Sequence, residues 1–253
     1  MTGVQTCALP ISVYLDSYSG TVTLQGNLTL TYSNNYTFLI LLSGSFDANN
    51  YNITAPIFLA TTNDGIASSL YMGSGNWAMT NTGTVWNVSD PDLTIYPQTS
   101  TILLSNTSSA ATSKIFNGGD KNYNNLTVYG IATYPAILTI NGANTFGTIA
   151  GNTSSFNFFG YYIYLAANQT VTDWTARGSL GAKLGLYSSV SGTQRTITKT
   201  GEGVVSTDYL TVKDIAGSPA NTWYVGVNST NNGNNSNLIF NNPPTGAFFF
   251  RSE

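Results

Sequence analysis

Groups able to do covalent chemistry are scarce in this chain of 253 residues: it has no histidine, one cysteine (Cys7), and glutamate only at Glu202 and Glu253. Without imidazole, Ser-His-Asp triads, His-ligated metal centres and ordinary pH switching are excluded. A handful of carboxylates and bases remains. Asp90-Pro-Asp92 is the closest acidic pair. Its spacing could share a cation or flank a glycosidic bond, although two Asp beside a Pro more often form an exposed turn. Asp208 and Asp214 bracket Tyr209–Lys213, with Glu202 and Lys213 near in sequence, and read as solvated charges. Neither Arg177 nor Arg195 lies within a few residues of two carboxylates. Asp120-Lys-Asn122-Tyr-Asn124 offers oxygen ligands at alternate positions, as an EF-hand loop begins. Its sixth residue is Asn125 rather than Gly and no Glu closes it, so it reads as a turn. Gly73-x-Gly75-x-x-Ala78 fits a dinucleotide fingerprint only in form, because a strand-like Trp77-Ala-Met-Thr follows where a helix is needed. These groups are too few for general acid–base work, so the chain is expected to be non-enzymatic, with no cofactor and no metal.

Aromatic side chains carry the better candidate site. Tyr161, Tyr162 and Tyr164, with Phe158 and Phe159 just before them, surround one short apolar segment. In a strand, alternate members face opposite sides, so some rings enter a core and the others face out. Exposed Tyr and Trp rings stack on sugars and favour interfaces. Trp174, Trp223 and Tyr224 are second candidates for glycan or interface contact.

The elements that would position these rings are strands. Charged residues make up 8% of the chain, against about 25% in an ordinary soluble domain, and the near absence of Glu removes surface helices. A net charge of −3 with eight Lys and Arg leaves no electrostatic footprint for nucleic acid. From Gly20 onward, segments of four or five residues rich in Thr, Val, Ile, Tyr and Phe recur every seven to ten residues. Gly, Asn, Asp or Ser punctuate nearly every gap. Such spacing predicts a right-handed parallel β-solenoid of three short strands per coil, with one coil per roughly 20–29 residues; the competing architecture is an antiparallel β-sandwich. Asn at the turns could stack into amide ladders, and scarce charge suits coils stacked about 4.8 Å apart. Gly44–Thr54 and Gly142–Ile149 each place a Phe shortly after a Gly and read as degenerate echoes of one coil. Residues 12–240 are expected to form a single domain, with a protruding loop at 170–183 and a C-terminal tail at 241–250. No run of 18 apolar residues exists, so membrane insertion by a helix is not expected; Phe38–Leu42 fits a strand buried on both faces.

The two ends read differently. Met1–Ile11 resembles the translation of a short-read sequencing adapter, and Arg251-Ser252-Glu253 resembles its other end. Setting these aside marks the chain as a metagenomic fragment, removes Cys7, and leaves the net charge at −3. Ten Asn-x-Ser/Thr sequons, among them Asn27, Asn52 and Asn168, follow from a composition so rich in Asn, Ser and Thr.

Three stretches carry a family resemblance: Gly44–Thr54 with Leu70–Asn87; Thr101–Leu104 with Ser113–Leu126 and Leu138–Phe146; and Val205–Leu210 with Thr222–Thr230, closing on Asn237-Leu-Ile-Phe-Asn. In this punctuation the chain resembles β-helical virion structural proteins of phage, of the tail type, over most of Gly20–Phe240. Asn237 and Leu238 stand where such endings usually carry Gly and Trp. The resemblance implies a right-handed β-helix in a virion, either binding the appendage together or presenting a host-contact surface. Its partners would be other virion subunits or host surface glycans, with homo-oligomers possible. The same kind of coil occurs in secreted or cell-surface bacterial adhesins, and a polysaccharide depolymerase on this fold is a third reading.

Overall fold

The computed structural model describes residues 12–31, 37–62, 65–106, 112–130, 136–151 and 161–244. The adapter-like ends, Phe158, Phe159 and the tail beyond Pro244 lie outside them. The described residues contain strands, turns and no helix. The strands pair in parallel, forming a β-solenoid of about seven turns, consistent with right-handed winding. A single antiparallel bridge, Ser179 with Ala182, occurs in a turn outside the sheets.

One sheet of twelve strands runs along a first side, including Ile57–Ala60, Gly83–Val88, Thr112–Asn117, Ala136–Asn141, Tyr161–Leu165, Leu184–Ser188 and Leu210–Lys213. A second sheet of nine strands runs along another side, from Leu28–Thr29 to Ile215–Ser218. The remaining side changes along the axis. Near the N-terminal end it is built by Ser68–Tyr71, which pairs with the second half of Phe38–Asp47, and by Leu93–Tyr96, which pairs in turn with Ser68–Tyr71. That strand covers two sides because it turns at Gly44, whose φ of 73° suits glycine; a Cβ there would strike the Ser17 hydroxyl. Near the C-terminal end a separate three-stranded sheet, Val205–Ser206, Trp223–Tyr224 and Leu238–Ile239, closes the section instead. Between these ends each coil shows two described strands, so the expected three per coil holds only toward the ends.

Coil length varies around the expected span. Phe38 pairs with Ile57, 19 residues on; Thr112 with Ala136, 24 on; and Phe116 with Trp86, 30 back. Register aligns like with like. On the first sheet Leu39, Phe58, Trp86, Phe116, Ile140 and Leu165 stack in one inward column. On the second, Ile53, Trp77, Ile102, Leu126, Ile149 and Trp174 do the same. All twelve are buried. The core is a narrow filament in which each coil covers its neighbours' apolar rows, the arrangement of a quasi-one-dimensional repeat protein.

Amide ladders form as expected, in two ways. Asn141 Nδ2 donates to Asn117 Oδ1 at 2.6 Å and Asn117 Nδ2 to Asn87 Oδ1 at 3.2 Å, along one register column. At a turn, the Asn52 backbone N–H donates to Asn27 Oδ1 and that of Asn76 to Asn52 Oδ1. The proposed echo does not survive. Phe46 belongs to the first sheet and Phe146 to the second, so the two Gly–Phe pairs occupy different sides of the coil. Phe38–Leu42 is also less enclosed than expected: Leu39 and Leu41 are buried, while Phe38, Ile40 and Leu42 are half-buried.

At the C-terminal edge an asparagine substitutes for a strand. Asn235 Oδ1 accepts from the Ile215 N–H at 2.9 Å and its Nδ2 donates to the Val212 carbonyl at 2.9 Å. The side-chain oxygen thus occupies a donor that another coil would otherwise pair, while its Nδ2 shares the Val212 carbonyl with the Asn232 backbone N–H. Asn235→Ala is expected to leave the buried Ile215 N–H unpaired, lowering stability by about 1–2 kcal/mol. Amide hydrogen exchange at Ile215 should accelerate relative to wild type; unchanged protection there would contradict the capping role.

Candidate functional site

Burial sorts the six aromatic candidates by strand phase. Tyr161, Ile163 and Leu165 face the core and Tyr162 and Tyr164 face outward, in strict alternation. Tyr161 is 3% exposed, Trp174 1% and Trp223 2%, so these three are core residues and not ligand contacts. Trp174 and Trp223 meet edge-on inside the solenoid at 6.2 Å, where their N–H groups reach the carbonyls of Ala176 and Ser218. Tyr224, next to Trp223 on the third sheet, is half-buried. The expected loop at 170–183 is corrected as well. Gln169–Trp174 is a strand of the second sheet; the excursion covers only 175–183 and carries Leu180, 87% exposed, at its tip.

Tyr162 and Tyr164 acquire a partner that sequence reading passed over. Register places Gly185 beside Tyr162 and Tyr187 beside Tyr164 on the next coil. The Tyr187 ring lies 5.5 Å from Tyr164 and 6.0 Å from Tyr162, at interplanar angles of 35° and 21°. Gly185 makes this possible: a Cβ there would lie 2.4 Å from Tyr162 Cδ1 and 2.6 Å from Tyr187 Cε2. Burial among its neighbours, with Tyr162 and Tyr164 adding to it, pushes the Tyr187 phenol above its ordinary value, partly opposed by a hydrogen bond with Asn232. The rings therefore form a neutral, partly dry shelf across two coils.

The shelf borders a cleft of about 300 Å³ lined by Tyr164, Tyr187, Ser189, Ser191, Lys213 and Asp214, at the lower end of the volumes typical of small-ligand pockets. The last two residues behave differently. Lys213 sits one coil beyond Tyr187 in the outward column, and its amine donates to the Ser191 hydroxyl at 3.2 Å. Asp214 has positive φ and is only 2% exposed. Its carboxylate accepts from Asn234 Nδ2 at 2.6 Å and from the Gly192 N–H at 3.0 Å. Those hydrogen bonds, Asn234 first, hold its carboxyl below the usual carboxylate value, with a smaller contribution from Lys213.

The expectation that Asp208 and Asp214 are solvated is therefore corrected, because both fasten turns. Asp208 Oδ1 receives the N–H groups of Tyr209 and Asn228, and its Oδ2 receives Asn228 Nδ2. Asp90 acts similarly: it is 3% exposed and accepts from the Ser68 hydroxyl and the Asp92 N–H, a turn as expected but a buried one. Asp120 caps the next coil by accepting the Ala143 N–H. Asn76–Met79, after the glycines of the fingerprint-like string, is a strand.

Among the described residues no group of three or more His, Cys, Asp or Glu side chains converges, and no helix is long and apolar enough to cross a membrane. Comparison with protein-family models, curated proteins and solved structures finds no match for this chain. The tyrosine shelf and its cleft are therefore weighed on geometry alone.

A second outward-facing pair, Tyr71, half-buried, and Tyr96, exposed, stacks at 4.5 Å and 3° on another side of the solenoid. The signal that could have located both pairs is the register. Tyr71 pairs with Tyr96, 25 residues on, and Tyr164 with Tyr187, 23 residues on, so both pairs span one coil.

Proposed function

We propose that this chain is a non-enzymatic β-helical structural segment of a phage virion appendage, whose lateral faces pack against other virion subunits or bind host surface glycans. The observation that carries the reading is the outward surface. Amide ladders and stacked tyrosines run along a rigid parallel rod, giving polar, sparsely charged faces suited to lateral contact. The carboxylates Asp90, Asp120, Asp208 and Asp214 are each occupied in fastening a turn, which favours a structural over a depolymerase reading. Backbone hydrogen bonds between coils give the rod axial stiffness.

Assembly of the parent contig tests this. Portal, capsid or tail-assembly genes beside the reading frame are expected. An upstream signal peptide with secretion or wall-anchor genes would overturn the virion placement and assign the chain to a bacterial surface adhesin.

A further inference from the structure

We infer that the cleft between the tyrosine shelf and Lys213 is a binding subsite for an anionic sugar, a carboxylate-bearing unit of a uronic-acid polysaccharide. The inference rests on the surface-binding half of the function proposed above, and names a place and a ligand class for it.

Shape and chemistry point the same way. A pyranose presents one face of C–H groups, which suits an aromatic platform, and a rim of hydroxyls and substituents that seek hydrogen bonds. Tyr164 and Tyr187 are the platform, tilted 35° to each other and spanning adjacent coils. The exposed serines 189 and 191 line the same cleft and bring hydroxyls that both donate and accept.

Charge selects the class of sugar. Lys213 forms no ion pair among the described residues; its amine contacts only the neutral Ser191 hydroxyl. The nearest carboxylate in sequence, Asp214, also lines the cleft, but it is only 2% exposed and each of its oxygens already accepts a hydrogen bond, from Asn234 and from Gly192. Lys183 lies along the same face, where its amine donates to the Thr230 hydroxyl at 2.7 Å, and Thr230 continues the Gly185–Thr211 column. Of the eight basic residues in the chain, Lys114 and Lys199 are buried against backbone carbonyls. Two of the remaining basic residues flank the tyrosines on one side of the rod. A carboxylate on a sugar stacked over Tyr164 and Tyr187 would be placed toward an amine whose only hydrogen bond is to a hydroxyl, and such a bond is readily exchanged for a charge-assisted one.

The test titrates the full chain, by calorimetry and by NMR of the tyrosine rings, with two probes. One is a β-1,4-linked glucuronic acid tetrasaccharide and the other its carboxyl-reduced counterpart, cellotetraose. Expected is tighter binding of the acidic probe, by about five-fold at low salt, with that preference lost as salt rises. Lys213→Gln is expected to erase the preference while sparing the neutral probe. Tyr187→Ala is expected to weaken both by about ten-fold. Tyr164→Ala gives a second test of the platform, and circular dichroism establishes that each variant is folded. Equal binding of the two probes with the same tyrosine dependence would overturn the anionic class, yet leave surface-glycan binding standing. No binding of either probe, or binding indifferent to all three substitutions, would overturn the subsite itself. Neither result bears on the virion placement, which the contig decides separately.

Discussion

Trp86→Ala is expected to destabilise the solenoid by about 3–5 kcal/mol, read as a fall in the urea midpoint with little change in slope. Trp86 is fully buried and touches rings on both neighbouring coils: Phe58 at 4.4 Å on one side and Phe116 at 5.8 Å on the other. Trp77 and Tyr123 meet it edge-on at 5.8 and 5.9 Å. Its indole N–H donates to the Tyr123 hydroxyl at 3.2 Å, which in turn donates to the Gly118 carbonyl at 2.8 Å. Truncation therefore opens a cavity between coils and removes one link of a buried chain. Stability in a stacked repeat is a sum of coil terms and nearest-neighbour interfaces, so both interfaces of one coil weaken together. Trp86→Phe keeps a ring against Phe58 and Phe116 and should cost less than half as much. A loss below about 1 kcal/mol for Trp86→Ala would mean that the filament collapses around the missing ring, contrary to close packing.

The second large effect lies on the alkaline side. Lys114 is 3% exposed and its amine donates to the carbonyls of Met79 and Asn81. Burial pushes that amine down from its ordinary 10.5 to about 8. Below pH 8 the amine is charged in both states, and the folded protein carries the full cost of enclosing it. Between pH 8 and 10.5 the unfolded chain binds more protons than the folded one, so stability rises with pH. By pH 10 the gain amounts to about 2–3 kcal/mol. Tyr123 and Tyr161 act in the opposite sense. Burial raises both phenols above their ordinary 10.0, so their contribution is present below pH 10 and is lost as pH climbs past it. The expected profile is a rise from pH 8, a maximum near pH 10 and a fall beyond. Urea titrations at half-unit pH intervals would record it. Lys114→Met, which keeps the volume without the charge, should flatten the rise while leaving the fall. A rise that persists in Lys114→Met would remove this lysine as its source.

Much of the fold was legible because its causes are local and repeated. Period-two alternation in Tyr161–Leu165 anticipates that the rings divide between core and surface, and the punctuation by Gly and Asn anticipates coil length. Positive φ at Gly73, Gly119 and Gly142, and at Asn49, Asn50 and Asn221, marks such turns. Leu184-Gly-Leu-Tyr-Ser is a strand that its glycine disguises, because glycine within a strand reads as a break. In the structure Gly185 is the space in which the Tyr162 and Tyr187 rings approach each other. Thr170–Trp174, which reads as part of a loop, is strand; its inward positions are Val171 and Trp174, and both are buried. Trp174 and Trp223, candidates for contact on residue type alone, are buried; a large ring isolated among polar neighbours carries no phase of its own.

The sequence by itself determined the class of architecture. Side-chain phase and turn chemistry act over a few residues, and the same pattern repeated down the chain admits few folds other than stacked short strands. It also determined what chemistry is unavailable, since an absent imidazole cannot be supplied by folding. The tertiary structure alone decided which residues become neighbours. Stacking brings residues about 15 to 30 positions apart to within a strand spacing, and variable coil length conceals that register from inspection. Hence Tyr187 beside Tyr164, Lys213 beyond both, and Asp214 turned inward were not predicted. Each depends on the length of a coil between two strands, which is set by how far the intervening turn must travel to close over the core.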